Sequence, residues 1–153
     1  MEEKIKFMKK ALSLAKKAYD SDEVPVGAVI VKDKKIIASA FNKRETSKNA
    51  VAHAEILAIQ KACKVLNDFR LIDCEMFVTL EPCLMCAGAI LNSRLKTVYF
   101  GARNNKENAI SFEEINRRAE LNHKTTIVGG IMEEECSNLV SSYFKQKRKN
   151  KIN

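Results

Sequence analysis

The segment MFVTLEPCLMCAGAIL, residues 76–91, is expected to change from a strand to a helix at Pro82. Its first five residues, Met76 to Leu80, form an almost wholly apolar run that predicts a buried strand. Pro82 is favoured at a helix start, and the run from Cys83 to Leu91 predicts the helix that follows. Because this helix has almost no polar face, we expect it to be buried on every side, between the sheet and a partner subunit.

The alternation of strand and helix continues on both sides of this segment. Lys32-Asp33-Lys34 separates two strands, and the later strands alternate with helices, so we expect one hairpin followed by strand–helix crossovers. This predicts an α/β fold with a five-stranded mixed sheet and helices on both faces. With 153 residues, we expect a single domain, residues 1–153. The predicted helices are 4–19, 53–66, 83–91, 112–118 and 132–149, and the strands 26–31, 35–41, 76–80, 97–100 and 125–128.

Three residues have the spacing and chemistry of metal ligands. Cys83 and Cys86 are three apart, which places their side chains on one helix face with Cβ atoms about 5–6 Å apart. The positive end of the helix dipole favours their thiolate forms. His53, at the start of another predicted helix, supplies an imidazole, and this mixed ligand set suits Zn²⁺. Three protein ligands leave a fourth position for a catalytic water.

Glu55 follows His53 by two residues, so on a helix it points in a different direction. We therefore expect it to be a catalytic residue and not a ligand. A carboxylate beside a zinc-activated water can take up a proton and deliver it to a substrate. The alternative is that Glu55 only compensates the helix dipole.

Two other interpretations of the cysteines remain open. A lone C-x-x-C motif also occurs as a redox pair in thioredoxin-like proteins, although that leaves His53 and Glu55 without a role. A structural zinc site would need a fourth protein ligand. The candidates for that ligand are His123, Cys63, Cys74 and Cys136.

Positive charge is concentrated in two parts of the chain, whose net charge is +8. Such clusters favour a polyanionic partner, because neutralised phosphates release condensed counterions. The alternative is that the charge serves solubility alone. The first cluster contains Lys32, Lys34, Lys35, Lys43, Arg44 and Lys48, and the second contains Lys145, Lys147, Arg148, Lys149 and Lys151.

The sequence offers no sign of export or of a membrane span. Its start, Met1 to Lys4, has no apolar signal-peptide region, and the apolar run from Leu84 to Leu91 is far shorter than the ~20 residues that cross a bilayer. We therefore expect a cytoplasmic protein without membrane association. In that compartment the five cysteines favour metal binding and core packing over disulfides.

Several stretches together resemble one known group of enzymes. The H-x-E…P-C-x-x-C pattern is the signature of zinc nucleobase deaminases. With its flanking residues, the chain resembles the cytidine deaminase-like superfamily and, within it, the bacterial tRNA-specific adenosine deaminases. The resemblance covers roughly residues 5–148. The matching stretches are Glu23–Val29, Asn42, Ala52–Glu55, Val78–Cys83 with Gly88-Ala89, Gly101–Arg103 and Asn122-His123.

This resemblance implies a three-layer α/β/α fold, a homodimer and one zinc ion per chain. It implies hydrolytic deamination of adenosine to inosine at the wobble position of a tRNA anticodon stem-loop. In that reaction water adds to C6, while Glu55 protonates N1 and then the leaving amine.

The resemblance also implies substrate-binding residues. Asn42 would hydrogen-bond the flipped-out base, and the backbone near Ala54 would line its pocket. Phe144 would contact the anticodon loop, and Lys147 and Arg148 would meet phosphates. An alternative for Phe144 is a place in the core. We expect the second histidine, at position 123, to be structural.

One position departs from the family pattern. Where the family has an aspartate after Gly101-Ala102-Arg103, this chain has Asn104. In the family that acid lies near the sugar and can accept a hydrogen bond from its 2′-hydroxyl, the group that distinguishes RNA from DNA. Loss of a negative charge would also ease binding of a DNA backbone. We therefore expect looser RNA selectivity and possible binding of single-stranded DNA, unless Asn104 still hydrogen-bonds the ribose.

Two other functions remain open from the sequence. The first is deamination of a free base or nucleotide, such as cytosine or guanine, for which the basic C-terminal segment would have no use. The second is a zinc-stabilised RNA-binding module without catalysis.

Overall fold

The computed structural model describes residues 1–104, 109–118 and 123–152. Its helices and strands follow the predicted order, and their bounds differ from the predictions by a few residues at most. Residues 105–108 and Asn122, a position that contributes to the family resemblance, lie outside the described residues. The elements are α1 (Glu2–Asp20), β1 (Gly27–Lys32), β2 (Lys35–Phe41), α2 (Ala54–Leu66), β3 (Cys74–Leu80), α3 (Leu84–Asn92), β4 (Thr97–Ala102), α4 (Phe112–Arg118), β5 (Thr126–Val128) and α5 (Glu133–Ile152).

The five strands form one mixed sheet, as predicted, and the structure gives their order as β2-β1-β3-β4-β5. β1 pairs antiparallel with β2 and with β3, whereas β3–β4 and β4–β5 are parallel pairs. Asp33 and Lys34 have φ values of 50° and 64°, which suit the tight turn of the β1–β2 hairpin. Parallel strands need a crossover, and α3 and α4 lie in these crossovers.

Side chains of the central strands alternate between two hydrophobic cores. Ile30, Met76 and Val98 belong to the core that includes buried residues of α2, α3 and α4. Their neighbours Phe77 and Tyr99 belong to the core that includes residues of α1 and α5. This period of two is that of a sheet covered on both faces. The predicted three-layer α/β/α architecture is therefore confirmed.

The prediction that the helix after Pro82 is buried on every side was wrong for the single chain. Cys86, Ala87 and Ile90 are buried, but Leu84 is 65% exposed and Gly88 is exposed. The physical reason is that α3 lies in an outer layer and contacts the sheet with one face. Among the residues that the structure describes, no helix combines the length and apolar character that crossing a membrane requires.

Candidate active site

The metal-ligand candidates lie at the starts of α2 and α3. His53 and Cys83 are the residues just before these helices, with extended backbones at φ/ψ of −75°/151° and −73°/175°. The predicted helices began at these two residues, so each helix starts one residue later than expected. Cys86 lies in the first turn of α3 and is buried. The two helix starts thus bring an imidazole and two sulfurs together from residues 30 apart in the chain.

The distances within this group fit a tetrahedral zinc site. His53 Nδ1 lies 3.7 Å from Cys83 Sγ and 3.5 Å from Cys86 Sγ, and all three ligand atoms lie within 4.8 Å of one another. Zinc bond lengths of about 2.3 Å to sulfur and about 2.0–2.1 Å to nitrogen, at a tetrahedral angle, require an N···S separation of about 3.6 Å. The donor types and their spacing therefore both suit Zn²⁺.

No fourth His, Cys, Asp or Glu joins this group among the described residues. His123 instead bonds through Nε2 to the carbonyl of Leu95 at 2.7 Å, which is a structural role. Cys63 donates to the carbonyl of Phe69, and Cys74 and Cys136 are buried in the two cores. This arrangement suits a catalytic zinc site, which has three protein ligands and an open position, better than a structural site with four protein ligands.

The two cysteines influence each other's protonation strongly. A hydrogen bond from the Cys86 thiol stabilises the Cys83 thiolate and lowers the pKa of Cys83 to about 3, and the same bond raises the pKa of Cys86. The hydrogen bond to Cys83 raises the pKa of His53, against the opposing effects of burial and of the Arg44 charge. One sulfur is therefore ready to bind a cation as a thiolate, and binding would release the second proton.

Glu55 is the second residue of α2 and is only 4% exposed. Burial raises its pKa to about 7, although the backbone N–H of Glu55 itself lowers it in part. The neighbouring Cys86 side chain also lowers the pKa of Glu55 in part, so Glu55 lies beside the ligand group without belonging to it. A carboxyl group with a pKa near neutrality can both accept and donate a proton, as a general acid–base catalyst must.

Two further acids are buried, and no motif in the sequence predicted a role for either of them. Glu81, just before Pro82, accepts hydrogen bonds from the backbone N–H groups of Asn104 at 3.0 Å and Phe112 at 2.9 Å. Glu23 in the same way accepts from two N–H groups of the loop after β2. The available signal was that each acid borders an apolar strand segment, where a charged side chain needs buried partners.

Three residues were predicted to bind the substrate near the ligand group: Asn42, Ala54 and Asn104. Asn42 is 6% exposed; its Nδ2 donates to the carbonyl of Val24, and its Oδ1 accepts from the backbone N–H of Arg44. Asn42 thus orders the turn that leads out of β2. Ala54 is fully buried as the first residue of α2. Asn104 is half-buried and is held through its backbone by Glu81.

The predicted RNA contacts on α5 belong to the opposite helix layer from the ligand group. Phe144 is 41% exposed and packs edge-on against Tyr143. Arg148 is exposed. Lys147 forms an ion pair of 2.7 Å with Asp22, which raises the pKa of Lys147, with a smaller contribution from Glu45. Since Glu45 belongs to the loop that ends at His53, this part of α5 lies near the loop leading to the site.

Known proteins similar to this chain are deaminases. Residues 2–148 match the MafB19-like deaminase family. The tRNA-specific adenosine deaminase of Bacillus subtilis is 44% identical over 146 residues, which cover 95% of this chain and 91% of that protein. A relative of the same name from Haemophilus influenzae is 41% identical over 95% of this chain and 86% of its own length.

Solved structures agree with these sequence relatives. A tRNA:A34 deaminase studied for A-to-I editing at the wobble position of transfer RNA superposes with a TM-score of 0.82 at 38% identity, covering 87% of this chain and 97% of its own. The Bacillus subtilis guanine deaminase superposes with a TM-score of 0.62 at 46% identity, covering 64% of this chain and 63% of its own. The chain therefore belongs to the tRNA-specific adenosine deaminase family, within the cytidine deaminase-like fold.

Proposed function

We propose that this protein is a zinc-dependent deaminase that converts adenosine to inosine at the wobble position of a tRNA anticodon. The observation that carries the proposal is the three-donor group of His53, Cys83 and Cys86 with the buried Glu55 beside it. The tRNA substrate is supported by relatives of that name at 40–44% identity over nearly the whole chain.

The chemistry follows from the roles of these four side chains. His53, Cys83 and Cys86 would hold the ion, which when bound supplies a Lewis acid that makes water nucleophilic near neutral pH. Glu55 would accept a proton from that water and pass it to N1 of the adenine as a C–O bond forms at C6. Glu55 would then take the remaining proton of the new C6 hydroxyl and deliver it to the amino group, so that the C–N bond breaks, ammonia departs and a C6 carbonyl remains.

Residues near this centre and residues of α5 would together bind the anticodon arm. In the proposal, Asn42 and the backbone at Ala54 hold the extruded base, and Asn104 lies near its sugar. Phe144 offers an exposed ring on which a base of the loop can stack, and the neighbouring cations of α5 meet phosphates. The working form is expected to be a cytoplasmic homodimer, with Lys147 and Arg148 near the RNA in each subunit.

Similarity to a guanine deaminase supports free-base deamination as a second candidate. The two functions differ in their need for cations. A free base carries no phosphate, whereas Lys145, Lys147, Arg148, Lys149 and Lys151 continue α5 without an acid after Glu135. This basic segment favours the RNA substrate.

The deciding experiment presents the zinc-loaded protein with an RNA anticodon stem-loop bearing adenosine at the wobble position and, separately, with free cytosine, guanine and adenine. We expect inosine in the stem-loop, detected by sequencing, and no ammonia release from the free bases. Turnover of a free base alone would make the second candidate correct. RNA binding without turnover of any substrate would instead indicate a non-catalytic binding module.

A further inference from the structure

Two adjacent acids after α1 hold two different segments of the chain. Glu23 is 1% exposed. Its Oε1 accepts a hydrogen bond of 3.0 Å from the backbone N–H of Glu45, and its Oε2 accepts one of 2.7 Å from that of Thr46. Both N–H groups belong to residues 43–52, here called the entry loop, which connects β2 to His53. A buried carboxylate with both oxygens bonded to one loop fixes that loop to the end of α1.

Asp22 holds the basic end of α5 in the same way. Its Oδ2 lies 2.7 Å from Lys147 Nζ, and its backbone carbonyl accepts a hydrogen bond of 3.2 Å from the Tyr143 hydroxyl. Tyr19, three residues earlier, also hydrogen-bonds α5 through Gln146. Asp22 has a φ of 59°, a left-handed conformation that Asp and Asn tolerate better than other non-glycine residues.

These contacts unite cations that are a hundred residues apart in sequence. The entry loop carries Lys43, Arg44 and Lys48, all exposed. Glu23 holds the backbone of Glu45 and Thr46, and the adjacent Asp22 pairs with Lys147, so both basic groups approach the same turn after α1. They therefore border one surface, and the entry loop continues from it to His53.

We propose that Asp22 and Glu23 are positioning residues that join the entry loop and the end of α5 into one preformed surface for RNA phosphates beside the active site. This proposal rests on the proposed function, because it assigns the surface to the same RNA substrate. Preformation lowers the ordering cost of binding, so it strengthens the capture of the substrate and leaves the chemical step unchanged.

If the two acids have no positioning role, simple electrostatics predicts that removing either one strengthens RNA binding. An acid at a phosphate-binding surface repels the substrate, so neutralising it should strengthen binding if it has no other role. The positioning role predicts weaker binding instead. The sign of the change in KM therefore separates the two explanations.

The test compares Asp22→Asn and Glu23→Gln with Asp20→Asn in the zinc-loaded protein. Asp20 is exposed, and its side chain makes no hydrogen bond or ion pair within the described residues, so its variant removes the same charge from the same turn. Asn keeps the left-handed backbone at position 22. At position 23, Gln retains one acceptor oxygen but presents an N–H group to the second backbone donor.

We expect Asp22→Asn to raise KM for the stem-loop about two- to fivefold, as the loss of an exposed ion pair implies. Glu23→Gln should raise it about fivefold or more, because a buried donor loses its partner. In both variants kcat should stay at the wild-type value and thermal unfolding should confirm the fold. The plot of log KM against log salt concentration should also become less steep for Asp22→Asn, by about the amount that one phosphate contact contributes. A merely structural change would not alter this slope.

In the control, Asp20→Asn, we expect KM to fall slightly. A similar fall in Asp22→Asn and Glu23→Gln would overturn the positioning role while leaving the proposed function intact. An equal loss of kcat in the two variants would also overturn it, because the acids would then act on the chemistry. If the unaltered protein fails to deaminate the stem-loop, the proposed function is wrong and this proposal falls with it.

Discussion

Glu81 Oε1 accepts a hydrogen bond of 3.0 Å from the backbone N–H of Asn104, and this bond ties the metal-ligand segment to a residue expected to lie near the substrate's sugar. Glu81 precedes Pro82 and Cys83, while Asn104 follows β4. The other oxygen of Glu81 binds the N–H of Phe112, at the start of α4. One buried carboxylate thus fixes both ends of the segment 104–112.

Replacement of Glu81 by Gln should destabilise the protein. A glutamine can accept from one of the two N–H groups, but its amide nitrogen faces the other, and an unsatisfied buried donor costs about 1–3 kcal/mol. We expect the free energy of unfolding, measured with urea, to fall by about this amount. Deamination of the stem-loop should also fall, since one end of the segment 104–112 loses its hydrogen bond to position 81.

The matched control is Glu75→Gln on the same strand. Glu75 accepts a hydrogen bond from the Tyr99 hydroxyl, which a glutamine oxygen can also accept. We expect its unfolding free energy to change by less than about 0.5 kcal/mol. Equal stabilities of the two variants would show that the Glu81 carboxylate does not hold the segment 104–112.

Asn104 itself should make the protein less selective for RNA than a variant with an aspartate at this position. With hairpins of equal length and sequence, we expect the ratio of RNA to DNA deamination to stay below about a thousandfold, because a neutral amide does not repel a DNA backbone. Asn104→Asp should raise this ratio, since a carboxylate is a stronger acceptor for a 2′-hydroxyl. A higher ratio in the unaltered protein would mean that the asparagine serves the ribose equally well.

Local patterns were sufficient to predict the strands, the hairpin and the pairing of the two cysteine ligands. Strands with unbroken apolar runs and the turn at Asp33-Lys34 determine the hairpin and the crossovers, because these signals depend on near neighbours in the chain. The C-x-x-C spacing brings Cys83 and Cys86 together in one helical turn. Only the approach of His53 required the tertiary fold, and there the family resemblance supplied the expectation.

The roles of Glu23 and Glu81 were beyond such patterns. Their partners are backbone N–H groups 22 and 31 residues away, and a backbone N–H is present at nearly every position of any sequence. The exposure of Leu84 was missed for a related reason. Composition shows that α3 is apolar, but only the packing of layers shows which face the sheet covers.

Gly27→Ala and Gly88→Ala should change stability in opposite directions. A Cβ atom at Gly27 would lie 2.1 Å from the carbonyl oxygen of Ala11 and 2.7 Å from the nitrogen of Ala15, so α1 would have to move away from β1. We expect a loss of about 1–3 kcal/mol in urea unfolding. Gly88 has open space around its Cβ position, and alanine should stabilise α3 by about 0.5–1 kcal/mol. A loss of stability at Gly88 would mean that another chain covers this face of α3.

Glu55→Gln should separate proton transfer from metal binding. The glutamine matches the carboxylate in size but cannot carry the proton, and general acid–base catalysis contributes about 10²–10⁴ to a rate. We therefore expect deamination to fall at least about 100-fold while one zinc ion per chain remains, measured by elemental analysis of protein purified without chelators. Cys86→Ser is the matched contrast: it removes a soft ligand, so both zinc and activity should be lost. Full activity in Glu55→Gln would show that another group moves the proton, and zinc loss in that variant would make Glu55 a ligand.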